Sequence, residues 1–278
     1  MFSIGIPTYN NLDYLKLCIS SIKNNSFYNH EILIHINEGV DGTLNYVKKN
    51  NFKYTYADKN IGLCSSINKI FKKATTKYFL YSHDDMYFLP EWDIFLKKEL
   101  DKVVNNKFYF SGTMIEPYSG HIMLNCGDDI KNFDEKKLLS EYKSHNFYDH
   151  QGSHFAPHLI EKSMWEKIGG MSEEFNPGIG SDPDLNMKLW NEGVRIFKGI
   201  NNFKVYHFGS LTTRKNNEII QNRGDKTFLK KWGITTKFFK KHYLKSRTKY
   251  ISELKNPIKN LNFYIDFIKC KIKFLLTF

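Results

Sequence analysis

The first 85 residues alternate between short β-rich runs and amphipathic helical stretches, and this alternation limits the chain to very few folds. Strands are predicted at residues 2–6, 31–36 and 53–57 and in the apolar run that begins at Tyr78, and helices at residues 12–22, 44–50 and 63–74. In the third helix Leu63, Ile67 and Ile70 recur on one face, which is helical spacing. The alternation predicts an α/β fold, a mostly parallel sheet flanked by crossover helices.

The remainder of the chain is less regular. It is predicted to form helices at residues 91–104, 161–168 and 184–192 and strands at residues 108–115, 155–159, 194–197 and 203–208, with residues 116–151 irregular. Gly169-Gly170 ends the second of these helices. From about residue 227 the sequence is rich in lysine and aromatic residues and is predicted to be helical, and a domain boundary is expected near residues 215–235.

The strand that begins at Tyr78 ends at two carboxylates, Asp84 and Asp85. A parallel strand delivers its carboxyl end to the ligand crevice of an α/β sheet. Paired acids there can hold a divalent cation, and the cation can hold a diphosphate. Alternatively, the two residues only cap the next helix, since Asp is a favoured N-cap residue.

The net charge of +12 is concentrated late in the sequence. Residues 216–278 contain 15 Lys and Arg against 4 Asp and Glu, a net charge of +11, so residues 1–215 carry only +1. The near-neutral body argues against uniform nucleic-acid binding, whereas a basic segment suits an anionic membrane surface or another polyanion.

An apolar helical stripe crosses this basic segment. Its members recur at spacings of three and four and are Ile258, Leu261, Ile265, Ile268, Ile272 and Leu275. Lysines flank the stripe at positions 259, 269, 271 and 273. Such a helix can lie on an anionic membrane, or it can pack on the preceding domain or on a second subunit.

Cysteine usage and hydropathy predict an intracellular location. The four cysteines show no metal-finger or redox spacing and no disulfide framework, which favours a reducing cytoplasm. No signal peptide is predicted, because no basic region followed by a long apolar stretch opens the sequence. The sequence contains no uncharged apolar stretch of about 18 residues, so no transmembrane helix is predicted. The expected location is therefore the cytoplasm or the cytoplasmic face of a membrane.

Six motifs occur together in one order. They are the run Ile6 to Asn10, the loop Asn37 to Thr43, the spaced Asn60/Gly62/Asn68, His83-Asp84-Asp85, Trp165…Gly169-Gly170…Ser181-Asp182-Pro-Asp184, and Val205-Tyr-His207. In this order they resemble a family 2 glycosyltransferase with the GT-A fold over residues 2–210. The resemblance implies a catalytic domain at 1–215, with a nucleotide-sugar half at 1–115 and an acceptor half at 116–215, followed by a basic helical region at 216–278.

The donor site is expected at the ends of the first strands. The residues assigned to nucleotide binding are Pro7, Thr8, Tyr9, Glu38, Asn60, Gly62, Asn68 and Asp84. Pro7 is expected to end the first strand and Gly62 to let the backbone approach the nucleotide. Glu38 can accept a hydrogen bond from a base, although the family commonly has Asp there. The alternatives are a plain turn at Pro7, a helix cap at Asn60 and a solvated acid at Glu38.

The resemblance also implies the metal ligands and the base. His83 stands where the family has the first acid of its motif, so Asp85 carries over as the metal ligand and Asp84 as a ribose or supporting group. His207 is expected as a further ligand, and oxygen ligands plus phosphate favour Mn²⁺ or Mg²⁺. Asp182 is assigned as the general base of an inverting transfer, with Asp184 as the fallback; alternatively, Asp182 is the N-cap ahead of Pro183.

Three further features have two interpretations. Residues 209–215 could close over a phosphate or form a solvated loop. Trp165 and Trp190 could stack on a sugar, but core packing is the preferred interpretation of both.

The chain is therefore expected to be a metal-dependent inverting glycosyltransferase. The donor is a nucleotide-sugar, UDP-linked by preference and GDP- or dTDP-linked otherwise, and the acceptor is a glycan or lipid-linked hydroxyl. Membrane contact through 237–278 and homo-oligomers are further expectations, and specific nucleic-acid binding is not. The alternatives are a sugar nucleotidyltransferase, which the absence of a Gly-rich basic loop at Pro7 disfavours, and a non-catalytic membrane- or polyanion-binding protein.

Overall fold

Helices cover a central mixed β-sheet in the computed structural model, which describes residues 1–145, 147–152, 154–209 and 223–278. The strands are β1 (Phe2–Tyr9), β2 (Glu31–Asn37), β3 (Lys53–Ala57), β4 (Tyr78–Tyr81), β5 (Met86–Phe88), β6 (Phe108–Glu116), β7 (Ile122–Met123), β8 (His150–Gln151), β9 (His158–Glu161), β10 (Ile196–His207) and β11 (Thr248–Lys249). The helices are α1 (Leu12–Asn25), α2 (Thr43–Lys49), α3 (Leu63–Phe71), α4 (Trp92–Leu100), α5 (Glu135–Glu141), α6 (Lys162–Ile168), α7 (Ser181–Asn191), α8 (Gly224–Trp232), α9 (Thr236–Phe239) and α10 (Leu261–Thr277). Residues 210–215 of the suggested lid at 209–215, and residues 215–222 of the predicted boundary region at 215–235, lie outside the described residues.

The predicted parallel half of the sheet is confirmed. Strands β4, β1, β2 and β3 lie side by side and all pair in parallel. Beyond β4 the sheet becomes mixed, because β9 pairs antiparallel with both β4 and β6. The sheet continues in the order β6, β10, β8 and β11. The fold class is thus α/β with a large central sheet, as the alternating sequence pattern indicates.

Pro7 does not end the first strand, contrary to the prediction. Strand β1 continues to Tyr9, and Pro7 lies opposite His35 of β2. The carbonyl of Gly5 accepts a hydrogen bond from Ser82 on the β4 side. The backbone of Pro7 faces the β4 side, as that of Gly5 does. Strand β4 ends at Tyr81, which lies opposite Gly5, so β4 does not reach Pro7. The missing N–H of proline therefore breaks no ladder bond.

The alternative that Asp84 and Asp85 cap a helix is wrong. The next helix, α4, begins at Trp92, and strand β5 lies between the acids and that helix. Strand β5 pairs antiparallel with β10, and Met86 lies opposite His207. This pairing brings the end of β10 beside Asp85, so the fold assembles one site from residues that are far apart in sequence.

Two predictions for the second half of the domain are corrected. Residues 116–151 are not wholly irregular, because they contain β7, α5 and β8. These elements enclose a second hydrophobic cluster around Leu124, Leu138 and Tyr206. The two strands predicted at 194–197 and 203–208 are one strand, β10, whose register with β6 shifts between Ile200 and Lys204.

The basic C-terminal region packs on the domain. Strand β11 adds to the sheet through β8, and Phe228, Phe239 and Leu244 are buried in the main core. The preferred interpretation of Trp165 and Trp190 is confirmed, since both are buried in the same core. Among the described helices, none has the length and apolar character needed to cross a membrane.

Candidate active site

A cavity of about 390 Å³ opens at the carboxyl ends of β1, β2 and β4. Its walls are Pro7, Thr8, Tyr9, Asn37, Asn60, Gly62, Leu63, Ser66, His83, Asp84, Asp85, Pro177, Gly178, Ile179, Ser181 and Asp182. The carboxyl ends of parallel strands are where α/β proteins bind their ligands. Eight of the residues expected from the sequence therefore line one space, namely Pro7, Thr8, Tyr9, Asn60, Gly62, Asp84, Asp85 and Asp182.

A cluster of metal-ligand type lies at one end of this cavity. Atoms of His83, Asp85 and His207 that could ligate an ion all lie within 4.8 Å of one another. Asp85 Oδ1 is 3.9 Å from His83 Nδ1 and 3.4 Å from His207 Nε2. Two imidazoles and a carboxylate are ligand types that divalent metal ions accept. The donor set therefore fits a divalent cation.

His83 was missed as a candidate ligand in the sequence. It was interpreted as a departure from an acidic motif, and only its nearness to Asp85 and His207 in the fold gives it this role. Burial lowers the pKa of His83 to about 4, so its ring is neutral at pH 7 and keeps a lone pair for an ion. The signal available in the sequence was the residue type itself, since histidine is a common metal ligand.

Glu116, also missed, orients His207. Its Oε1 lies 2.6 Å from His207 Nδ1, which leaves the other ring nitrogen directed at Asp85. Burial alone would lower the pKa of His207, but the carboxylates of Asp85 and Glu116 raise it to about 10, so an ion held at Nε2 would displace a proton from the ring. A carboxylate on the far nitrogen of a ligating histidine fixes the ring and raises its basicity.

Asp84 is buried beside the first strand. Burial, and then the neighbouring Asp85 carboxylate, raise its pKa to about 7, while the side chains of Thr8 and Asn11 oppose this rise. Two carboxylates in one buried site disfavour double ionisation. Asp84 thus lines the cavity next to the metal-ligand cluster.

Asn37, not Glu38, reaches the cavity from the end of β2. The chain turns at Glu38, whose φ is +61°, and its carboxylate accepts a hydrogen bond from Asn10 at 3.2 Å. Asn37 accepts from the Ile61 N–H at 3.0 Å and donates to Ser66 at 3.1 Å. The strand runs one residue further than predicted, and this extra residue places Asn37 on the wall and directs Glu38 away from it.

Asn60 and Gly62 shape the start of α3. Asn60 Oδ1 accepts a hydrogen bond from the Gly62 N–H at 2.9 Å, so Asn60 forms a turn rather than the cap. Gly62 is the N-cap, with a φ of +80°, and a Cβ there would lie 2.5 Å from Asn176. Asn176 Oδ1 accepts from the Cys64 N–H at 2.9 Å and so supplies the missing side-chain cap.

Asn68 does not reach the cavity. Its amide group bonds the backbone of Met171 in both directions, donating to the carbonyl at 2.8 Å and accepting from the N–H at 2.9 Å. It lies more than one turn along α3 from Gly62, on the side that faces the loop after α6. The geometry gives Asn68 a structural role, which ties the two halves of the domain together.

The two acids at the start of α7 lie in different surroundings. Helix α7 begins at Ser181 with Gly180 as N-cap, so the alternative that Asp182 is the N-cap is wrong. Asp182 lines the cavity. Asp184 is buried and accepts hydrogen bonds from Ser172 at 2.6 Å and Trp232 Nε1 at 2.8 Å, and Lys231 Nζ lies 2.9 Å from it. Asp184 therefore holds the C-terminal region, and of these two acids only Asp182 lines the cavity.

The environment of Asp182 suits proton transfer. Burial raises its pKa to about 7, and the positive charge of Lys240 opposes this rise. A general base is most effective when its pKa lies near the working pH. Asp182 lines the same cavity as His83 and Asp85 of the metal-ligand cluster.

Sequence comparisons match the chain to a family model and to two curated relatives. The model of glycosyl transferase family 2 matches residues 3–151, which is more than half of the chain. A hyaluronan synthase of Pasteurella multocida is 26% identical over 245 residues, covering 85% of this chain and 22% of the synthase. A chondroitin synthase of Pasteurella multocida (strain Pm70) is 26% identical over 224 residues, covering 78% of this chain and 22% of its own. The chain spans about a fifth of the length of these two relatives.

Solved structures share the fold at low sequence identity. The fragment 1–349 of S. aureus TarS superposes with a TM-score of 0.56 at 15% identity, covering 74% of this chain and 60% of that fragment. GalNAc-T7, solved with UDP, GalNAc and Mn²⁺, gives a TM-score of 0.57 at 16% identity, covering 81% of this chain and 44% of its own. TarS has also been solved with UDP-GlcNAc. At these identities the likeness concerns the fold alone.

Proposed function

The chain belongs to glycosyl transferase family 2 and is a glycosyltransferase, and we propose that it transfers a sugar from a nucleoside-diphosphate donor to a glycan or lipid-linked hydroxyl, with inversion. The observation that carries the proposal is one cavity that the metal-ligand cluster borders and that Asp182, an acid of raised pKa outside that cluster, also lines. The proposed catalytic domain is residues 1–215, followed by the basic region at 216–278.

The donor would lie along the ends of β1, β2 and β4. The cavity volume of about 390 Å³ is in the range of small-molecule sites, roughly 300–1,000 Å³. A uridine diphosphate donor is preferred, because UDP or UDP-GlcNAc is bound in structural neighbours. Tyr9 and Asn37 line this part of the cavity and would contact the nucleoside. Asn37 also accepts a hydrogen bond from the Ile61 N–H and donates one to Ser66, and these bonds hold the wall in place.

His83, Asp85 and His207 would hold the divalent cation, Mn²⁺ or Mg²⁺. When bound, such an ion supplies positive charge to the diphosphate leaving group. Glu116 holds the His207 ring in place through Nδ1. The buried carboxyl of Asp84 borders the same site and would face the ribose or support the cluster.

Asp182 would act as the general base. Its carboxylate takes the proton of the acceptor hydroxyl while the hydroxyl oxygen forms the bond to the anomeric carbon. The bond from that carbon to the diphosphate oxygen breaks, and its electron pair leaves with the diphosphate. One direct displacement on the face opposite the leaving group inverts the anomeric configuration.

Sugar nucleotidyl transfer is the less favoured reaction. That chemistry needs cationic side chains around an incoming triphosphate. No Lys or Arg lines the cavity among the described residues, and its first wall is Pro7, Thr8 and Tyr9 instead of a basic glycine loop.

Isothermal titration of UDP, GDP and dTDP, with and without Mn²⁺, tests the donor site. UDP is expected to bind only with Mn²⁺, and Asp85→Ala is expected to abolish that binding. Asp13→Ala, at an acid whose side chain is 75% exposed, is the matched control and should bind as the wild type does. Metal-independent binding, or equal binding by Asp85→Ala, would contradict the proposed site. The anomeric configuration of the product, read by NMR, tests inversion separately.

A further inference from the structure

Helix α10 docks on the body of the protein through one face only. Its Phe263 and Cys270 are 7% and 3% exposed, and Phe267 packs beside them against Phe238 of α9. Because these aromatic contacts fix the rotation of the helix, its opposite face points away from the domain. The stripe that the sequence predicts is therefore not packed on the described part of the chain.

The aliphatic stripe lies on that opposite face. Leu261, Ile268 and Leu275 are 75%, 57% and 78% exposed. At 100° per residue, Ile265 and Ile272 lie directly beside Leu261 and extend the same face, and both are also exposed. Contiguous exposed aliphatic side chains of this kind mark an interaction surface.

Lysines border the stripe on both sides. On the helical wheel Lys269 and Lys273 lie along one edge and Lys271 along the other. The single acid of the helix, Asp266, lies towards the body, where Lys241 Nζ and His242 Nε2 are 2.7 and 2.9 Å from its carboxylate. The largely exposed Lys269 lies 3.6 Å from the other oxygen of that carboxylate. The exposed face therefore carries aliphatic groups and positive charge, without a negative charge of its own.

We propose that this face of α10 rests on the surface of an anionic lipid bilayer. The stripe would enter the boundary between headgroups and acyl chains, and the lysines would reach the lipid phosphates on either side. A second copy of the chain fits this face less well, because pairing two such faces would bring lysines against lysines. The inference is independent of the reaction proposed for the cavity.

Vesicle co-sedimentation of the full chain tests the proposal. The expected result is binding to phosphatidylcholine vesicles that contain about one-third phosphatidylglycerol, and much weaker binding to pure phosphatidylcholine. The double variant Ile268→Glu/Ile272→Glu should bind at least about tenfold more weakly, because it places charge in the stripe. Replacing Lys269, Lys271 and Lys273 by Gln should weaken binding to the anionic vesicles by about 100-fold, at roughly fivefold per lysine.

Val40→Glu/Val104→Glu is the matched control, since both valines are exposed, at 83% and 97%, and lie far from α10 in sequence. This control should keep the binding of the wild type, and a loss there would overturn the proposal. Absent binding by the wild type, or equal binding to neutral vesicles, would also overturn it. Sedimentation velocity without lipid completes the test. If the wild type is a dimer and Ile268→Glu/Ile272→Glu is a monomer, the face binds a second copy of the chain and the proposal is wrong.

Discussion

Asp182 and Asp184 are two residues apart, and the same Asp→Asn change should have opposite consequences at the two positions. Asp184 receives hydrogen bonds from Ser172 and Trp232 and an ion pair from Lys231. Asn keeps one acceptor oxygen but turns an NH₂ group towards these donors. Breaking a buried charged interaction of this kind costs about 3–5 kcal/mol, and the acceptor that Asn retains puts the expectation at about 3 kcal/mol.

At roughly 2–4 °C per kcal/mol for a domain of this size, Asp184→Asn should lower the Tm by about 6–12 °C. Its folded fraction should still turn over donor and acceptor at low temperature. Asp182→Asn should leave the Tm unchanged or slightly higher, because burial disfavours the charged form of that carboxyl in the folded protein. Its kcat should fall by about 10²–10⁴-fold, the usual contribution of a general base.

Differential scanning fluorimetry and a coupled assay of released nucleoside diphosphate measure the two effects, with Asp13→Asn as a control at an exposed acid. The assignment fails if Asp184→Asn keeps its Tm and loses turnover, since Asp184 would then be the base. Full activity of Asp182→Asn would remove the proposed mechanism.

Three further predictions follow from the same geometry. The kcat/KM should rise with pH and level off above a midpoint near 7, because Asp182 must lose its proton to act as a base. Lys240→Gln should move this midpoint to higher pH, since the charge of Lys240 lowers the pKa of Asp182. Measuring kcat/KM of transfer against pH checks both. Glu116→Gln should weaken Mn²⁺-dependent UDP binding by about 10–100-fold by releasing the His207 ring, and unchanged titrations would contradict that role. Gly62→Ala should cost about 1–3 kcal/mol, because its φ is +80° and a Cβ would meet Asn176; urea denaturation measures the loss.

The place of the site could be predicted from the sequence because polar groups follow or close each apolar run, although β1 and β2 end three residues and one residue later than predicted. Asp84 and Asp85 follow β4, Thr8 and Tyr9 close β1, and the fold brings all four to one cavity. Motif spacing alone does not give the direction of a side chain, and Asn68 shows the limit. Its position in the sequence suits a nucleotide site, but the turn of α3 directs it to the Met171 backbone.

The partners of His207 and Asp184 could not be predicted, because both contacts join distant segments. Glu116 lies 91 residues before His207, and Trp232 lies 48 residues after Asp184. Nothing local in either sequence segment requires these contacts, which depend on the register of β6 with β10 and on the docking of α8. The sequence contains two candidate acids for the proposed base, Asp182 and Asp184. They differ only in their tertiary contacts, since Asp182 lines the cavity and Asp184 binds Trp232 and Lys231.

The walls of the cavity are tied together at the start of α3, and this connection links donor and acceptor sides. Asn176 caps the helix, and the Leu63 N–H donates to the Pro177 carbonyl at 3.2 Å, so the segment before α7 satisfies backbone groups of α3. Asp182 follows that segment by a few residues. The glycines at 178 and 180, with φ of +156° and +87°, let the chain turn from these contacts into α7. The placement of the proposed base thus depends on the wall that would hold the nucleotide.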